Sequence, residues 1–267
     1  MRKLFSRIKH KIEGEVFPSA SPKKPQKPGD LYVFIRYCNF STISQHKNRP
    51  SSFSREGCFA NFVETLGDFP ANVLCFLDRF HPMQEEHFIL RQKNFPVISF
   101  KAGTEALSFL FMLDYVFSLS LPENSMLYFL EDDYLHRPSW PMILQEGLNI
   151  EKASYVTLFD HKDKYTAKEY QNLKAQIYLS NTVHWRSTPS TTNTYAMLAS
   201  TLYEDKKIHY AFSKNRSITA DHQKFLCLGK KGKKLISPIP GFSTHVESAF
   251  LSPSICWDTL QPLYAKK

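Results

Sequence analysis

The sequence predicts an α/β domain with a mainly parallel central sheet and helices on both faces. Two observations carry that expectation. From residue 31 to 133, apolar strand-like runs alternate with segments of helical period, the pattern of strand–helix–strand crossovers. The 267-residue chain, 42% hydrophobic, is also ample for one sizeable core and too apolar for a disordered chain. No run of about 18 uncharged apolar residues suggests a membrane span, and no apolar leader core of about 7–15 residues follows the basic N-terminus.

The elements follow in order. Residues 1–17 place Leu4, Ile8 and Ile12 at four-residue spacing among Arg2, Lys3, Arg7, Lys9 and Lys11. This reads as a short basic amphipathic arm suited to an anionic membrane surface. Residues 18–30, rich in Pro, Lys and Ser, read as a linker. One domain, 31–267, follows: a first half to residue 136 and a second from 137. Residues 31–38 and 71–78 read as strands flanking a helix over 54–69, which Ser54 opens and Gly67 closes. A short helix over 85–93, a strand over 96–101 and an apolar helix over 104–119 behind Gly103 lead to a strand over 125–133. Ser139 opens a helix to 148. In the second half, 154–160 and part of 175–186 read as strands, 192–205 and 218–229 as helices, and 234–247 as a last strand and loop.

Charge placement narrows the partners. Eight Lys and Arg against two Glu in residues 1–28 supply +6 of the net +9. Nucleic acid is therefore set aside, because a binder spreads basic charge over its folded face. Five scattered cysteines form no C-x-x-C pair and suggest reduced thiols, hence a cytoplasmic protein with a possible place at the inner face of a membrane.

The sharpest chemical feature is Glu131-Asp132-Asp133, which closes the apolar run 126–130. In parallel sheets, ligand sites lie at the carboxyl ends of strands. Adjacent carboxylates repel unless a cation sits between them, and oxygen ligands suit Mg²⁺ or Mn²⁺.

The order of these features resembles glycosyltransferases of the GT-A fold. Those enzymes share a Rossmann-like sheet, a glycine-led helix and a strand ending in an Asp-x-Asp-type motif that holds a divalent ion against a nucleotide-sugar diphosphate. The resemblance covers about residues 31–250, with Glu-Asp-Asp in place of a strict Asp-x-Asp. It implies metal ligation by Glu131, Asp132, Asp133 and His245, the last in STHVE. It also implies nucleotide-sugar contacts from Arg36, Tyr37, Asp78, Gly103 and Asp132, with a structural role as the alternative for Arg36 and a cap on the following turn as that for Asp78. Asp221, at a helix start, is the implied general base, with a pKa held low by the helix dipole.

Trp185 and Tyr195 flank the polar stretch STPSTTNT and are the candidates for stacking on an acceptor sugar, with core packing as the alternative. The run FDHKDKY, 159–165, reads as a solvated loop, and His222 points away from Asp221. The implied activity is transfer from a nucleotide-diphosphate sugar to a glycan or lipid-linked acceptor hydroxyl, in envelope or surface glycan synthesis. A nucleotidyltransferase or phosphohydrolase on the same carboxylates, or a non-catalytic sugar-binding protein, are the rivals. A P-loop enzyme is excluded, since no G-x-x-x-x-G-K-[ST] occurs.

Overall fold

The computed structural model describes residues 29–81, 86–257 and 260. The expected arm, 1–17, and nearly all of the expected linker lie outside them. Eleven strands are described: β1 Leu31–Cys38, β2 Ala71–Asp78, β3 Val97–Phe100, β4 Met126–Glu131, β5 Tyr134–His136, β6 Tyr155–Val156, β7 Ile177–Leu179, β8 His184–Ser187, β9 Tyr195–Leu198, β10 Leu235–Ile239 and β11 Ser243–His245. The helices are α1 Thr42–Gln45, α2 Arg55–Leu66, α3 Glu105–Ser118, α4 Trp140–Leu148, α5 Asp163–Thr166, α6 Ala199–Glu204, α7 Lys206–Ala211 and α8 Asp221–Lys230.

Nine strands form one sheet in the order β3-β2-β1-β4-β9-β6-β10-β8-β7, and β5 pairs with β11 in a separate ribbon. The first four are parallel, as expected, whereas β9 enters antiparallel to both β4 and β6. Strand alternation sorts the core onto two faces. Val33, Ile35, Tyr128 and Leu130 pack on one side with Phe62 of α2 and Trp140 of α4. Phe34, Leu127 and Phe129 pack on the other with Phe109 of α3, Leu202 of α6 and Phe225 of α8. The fold class read from the sequence is the one found.

The local signals for α2 and α3 hold. Ser54 Oγ accepts the Gly57 amide at 2.9 Å, and Gly67 ends the helix at φ 55°. Thr104 Oγ1 accepts the Leu107 amide at 3.2 Å. Ser139 departs from its expected role: it sits at φ 68° with no side-chain cap bond, and Pro141 instead occupies the first turn of α4. Within the helix expected over 192–205, Tyr195–Leu198 is strand and Ala199–Glu204 is helix. Tyr195–Leu198 is extended because the free edge of β4 needs a backbone partner, and that demand overrides the helical preference of Ala, Met and Leu. Of the short helix expected over 85–93, the described residues 86–93 form one helical turn, Phe88–Leu90. The ladder of 154–160 is limited to Tyr155 and Val156. Among the described residues no helix is long and apolar enough to cross a membrane.

Burial carries a pH consequence at His136. The side chain is wholly enclosed, with Nε2 2.9 Å from the Tyr128 hydroxyl, and burial pushes its pKa down to about 3. The unfolded chain, with a pKa near 6.5, therefore binds a proton in a window where the folded one does not. Between pH 6.5 and 3 this group removes stability as pH falls, by about 1.4 kcal/mol per unit. His136→Gln lacks that liability. Wild-type stability minus that of the variant is expected to drop at this slope in urea unfolding at pH 6, 5 and 4; parallel curves would refute the assignment.

Candidate active site

A cavity of about 430 Å³ opens at the carboxyl ends of β1, β2 and β4. Parallel β1 and β4 set Arg36 beside Glu131, and β2 brings Asp78 alongside Cys38. The acidic triplet leaves the end of β4 and turns into β5, so all three carboxylates border the cavity. The expected Arg36, Tyr37, Asp78 and Gly103 line it too, and so does Asp221, from a helix 88 residues beyond Asp133.

Each acid of the triplet has its own cationic partner. Arg36 lies 3.1 Å from Glu131 and 2.9 Å from Glu105. Arg55 Nε is 3.0 Å from Asp132 Oδ2. Asp133 Oδ2 gathers Arg49 at 2.6 Å, Lys47 at 3.3 Å and His245 Nε2 at 3.0 Å. The carboxyl groups separate accordingly. Burial pushes Glu131 up to about 8 despite Arg36. Burial likewise raises Asp132, opposed by Arg55. Burial would raise Asp133 as well, but His245, Lys47 and Arg49 hold it well below the usual carboxylate range. Neighbours on one turn thus have pKa values shifted in opposite directions, because Asp133 alone is surrounded by several cations.

That arrangement revises the four-ligand set. Among the described residues no three His, Cys, Asp or Glu side chains gather as a metal cage. Glu131 is engaged with Arg36, and His245 Nε2 lies between Asp133 and Lys47, which places it as an orienting neighbour of the carboxylate. Asp132 and Asp133 still fit a hard divalent cation. Mg²⁺ is commonly held by one or two carboxylates plus substrate phosphates rather than by an all-protein cage. Asp133 Oδ1 is buried without a hydrogen-bond partner, an acceptor left open.

Asp78 resolves toward its capping alternative. Its Oδ1 accepts the Phe80 and Ala102 amides, each at 3.0 Å, and Oδ2 accepts that of Gly103 at 2.9 Å. Both oxygens bind backbone, so the carboxylate fixes two loops at the cavity rim. Gly103 is required there: its φ is +84°, and a Cβ would stand 2.8 Å from the Phe80 ring. Tyr37 is 3% exposed, with its ring edge-on to those of His87 and Phe88.

Asp221 begins α8, but its pKa is not low. Burial raises it, against the pull of Lys224, and the helix dipole does not prevail. Lys224 is fully enclosed, and its ammonium donates to Asp221 Oδ1 at 3.2 Å, Asn193 Oδ1 at 2.7 Å and the Tyr195 hydroxyl at 3.2 Å. Asn193 in turn donates to Glu105, which also receives Arg36. A chain of polar contacts thus runs from Glu131 through Arg36, Glu105, Asn193 and Lys224 to Asp221. Sequence reading missed Glu105, Asn193 and Lys224, as it did Lys47, Arg49 and Arg55. Each is an ordinary surface type until the fold surrounds it.

Trp185 and Tyr195 require correction as sugar-stacking residues. Both are wholly buried. The Trp185 indole covers Gly147, where a Cβ would be 2.5 Å from the ring, and its Nε1 donates to Ser180 Oγ at 3.0 Å. Tyr195 stacks on His209 and bonds Lys224. The run 159–165 is also more ordered than a solvated loop, since Asp160 is buried against Arg186 at 2.7 Å.

No family model matches the sequence, and no curated protein matches it. The fold is similar to that of a galactosyltransferase, LgtC, solved in complex with donor and acceptor sugar analogues. Identity to LgtC is 9%, over 76% of this chain and 72% of that one, with a TM-score of 0.41. It is also similar to S. aureus TarS residues 1–349, at 10% identity over 78% of this chain, with a TM-score of 0.46. The match takes in 57% of that TarS chain.

Proposed function

We propose that this protein is a glycosyltransferase that moves a sugar from a nucleotide diphosphate to an acceptor hydroxyl. The observation that carries the reading is one cavity that holds the Asp132–Asp133 edge, the cations Arg36, Lys47 and Arg55, and Asp221 together. The cations suit the phosphates of a donor. Asp132 and Asp133 would hold a divalent ion, Mg²⁺ or Mn²⁺, which supplies Lewis-acid neutralisation of the departing diphosphate when bound. Asp221 takes the proton of the attacking hydroxyl. Its raised pKa favours that work, because a general base is most effective when its pKa approaches the working pH. Lys224 positions the carboxylate and keeps it from drifting further toward its neutral form.

Envelope or surface glycan synthesis remains part of this reading, carried by the basic arm of residues 1–17 as a tether to anionic lipid. The test is a panel of nucleotide sugars screened by thermal shift and product release, with and without Mn²⁺. A donor that raises Tm with metal and yields a glycosylated product supports transfer. Phosphate release or nucleotide exchange without sugar transfer would instead establish the phosphohydrolase or nucleotidyltransferase rival. Binding without turnover in the presence of metal and acceptor would establish the sugar-binding one.

A further inference from the structure

A second cavity, of about 320 Å³, opens beside the first. Thr192, Thr219 and Asp221 line both, so the two chambers meet at the proposed base. The rest of the second wall is rich in groups that both donate and accept hydrogen bonds. Ser190 Oγ lies 3.0 Å from His222 Nδ1, and Thr191 Oγ1 lies 3.1 Å from His161 Nε2. Gln223 adds an amide from the first turn of α8. Ser190, Thr191 and Thr192 belong to the polar stretch singled out in the sequence, while the aromatics that flank it lie in the core.

The charge on this wall is decisive. Lys164, its one Lys or Arg among the described residues, is paired with Asp163 at 2.8 Å, and its ammonium stands 4.1 Å from the Tyr170 ring. Burial lowers the pKa of His161, which keeps that imidazole neutral. Asp163 takes up Lys164 and Asp221 is paired with the enclosed Lys224 at 3.2 Å, so no Lys or Arg among the described lining residues is left unpaired. An acidic sugar would find no free cation here and would meet two carboxylates, whereas hydroxyl groups meet a dense set of neutral partners.

We infer that the second cavity is the acceptor subsite and that it takes a neutral, polyhydroxylated sugar residue without carboxylate, sulfate or phosphate. The inference rests on the glycosyl-transfer reading. An acceptor hydroxyl held there reaches the donor past Asp221. Its oxygen forms the new bond to the anomeric carbon, the bond from that carbon to the diphosphate oxygen breaks with its electron pair, and the hydroxyl proton passes to the Asp221 carboxylate.

Saturation-transfer NMR on the whole protein tests this with lactose, cellobiose and maltose against sialyllactose and glucuronic acid. The neutral disaccharides are expected to bind and the acidic sugars to bind at least about tenfold more weakly. Gln223→Trp, at an exposed position, should fill the cavity and reduce disaccharide binding at least about tenfold, while nucleotide thermal shifts stay unchanged. His222→Ala should weaken it in the same direction. Tighter binding of the acidic sugars, no disaccharide binding at all, or full binding in both variants would overturn the inference. If the disaccharides bind as expected but no nucleotide sugar binds or turns over, the sugar subsite stands and the transferase reading falls.

Discussion

Asp221→Asn is expected to lower transfer by about 10²–10⁴-fold, the range for loss of a positioned general base. The amide keeps the volume and the place at the head of α8 but cannot accept the hydroxyl proton. Nucleotide thermal shifts should persist, because the end of the cavity proposed for the diphosphate is lined by Arg36, Lys47, Arg55 and the Asp132–Asp133 edge. The wild-type pH profile offers a second readout. A base must be ionised to act, so activity falls as pH drops through the Asp221 pKa. Burial raises that pKa, which places the acid limb above the ordinary aspartate range. Initial rates with saturating donor across pH 4 to 8 check both points. A variant within tenfold of wild type would remove Asp221 from the chemistry.

Trp185→Ala is expected to destabilise the fold by about 3–5 kcal/mol, the usual cost of emptying a buried tryptophan site. The indole lies on β8 against Gly147 of α4, and that close approach exists because glycine has no side chain. Truncation leaves a void that Gly147 cannot fill and strands Ser180 without its indole donor. Urea unfolding at pH 7 reads the loss. If Trp185 instead served the acceptor, stability would hold and only the acceptor KM would rise; its complete burial argues for the first outcome.

The same residue shows how far sequence reading reaches. An aromatic beside a polar stretch is a sound reason to look for sugar binding, and Ser190, Thr191 and Thr192 do line a cavity. Whether Trp185 faces that cavity or the core depends on strand register: in a pleated strand, neighbouring residues point to opposite faces. The pairing of Trp185 on β8 with Tyr178 of β7 and Pro238 of β10 fixes its direction, and the β10 partner is distant in sequence.

The amino-acid order by itself determined the parallel half of the sheet, the starts of α2 and α3, and the acid-tipped end of β4. These follow from period, caps and apolar runs, all of which act within a few residues. Tertiary structure alone decided which cation meets which carboxylate. Lys47 and Arg49 reach Asp133 across 86 and 84 residues, and Arg36 reaches Glu105 and Glu131 across 69 and 95. Coulomb interactions and desolvation depend on distance in space and on enclosure, neither of which a linear spacing encodes.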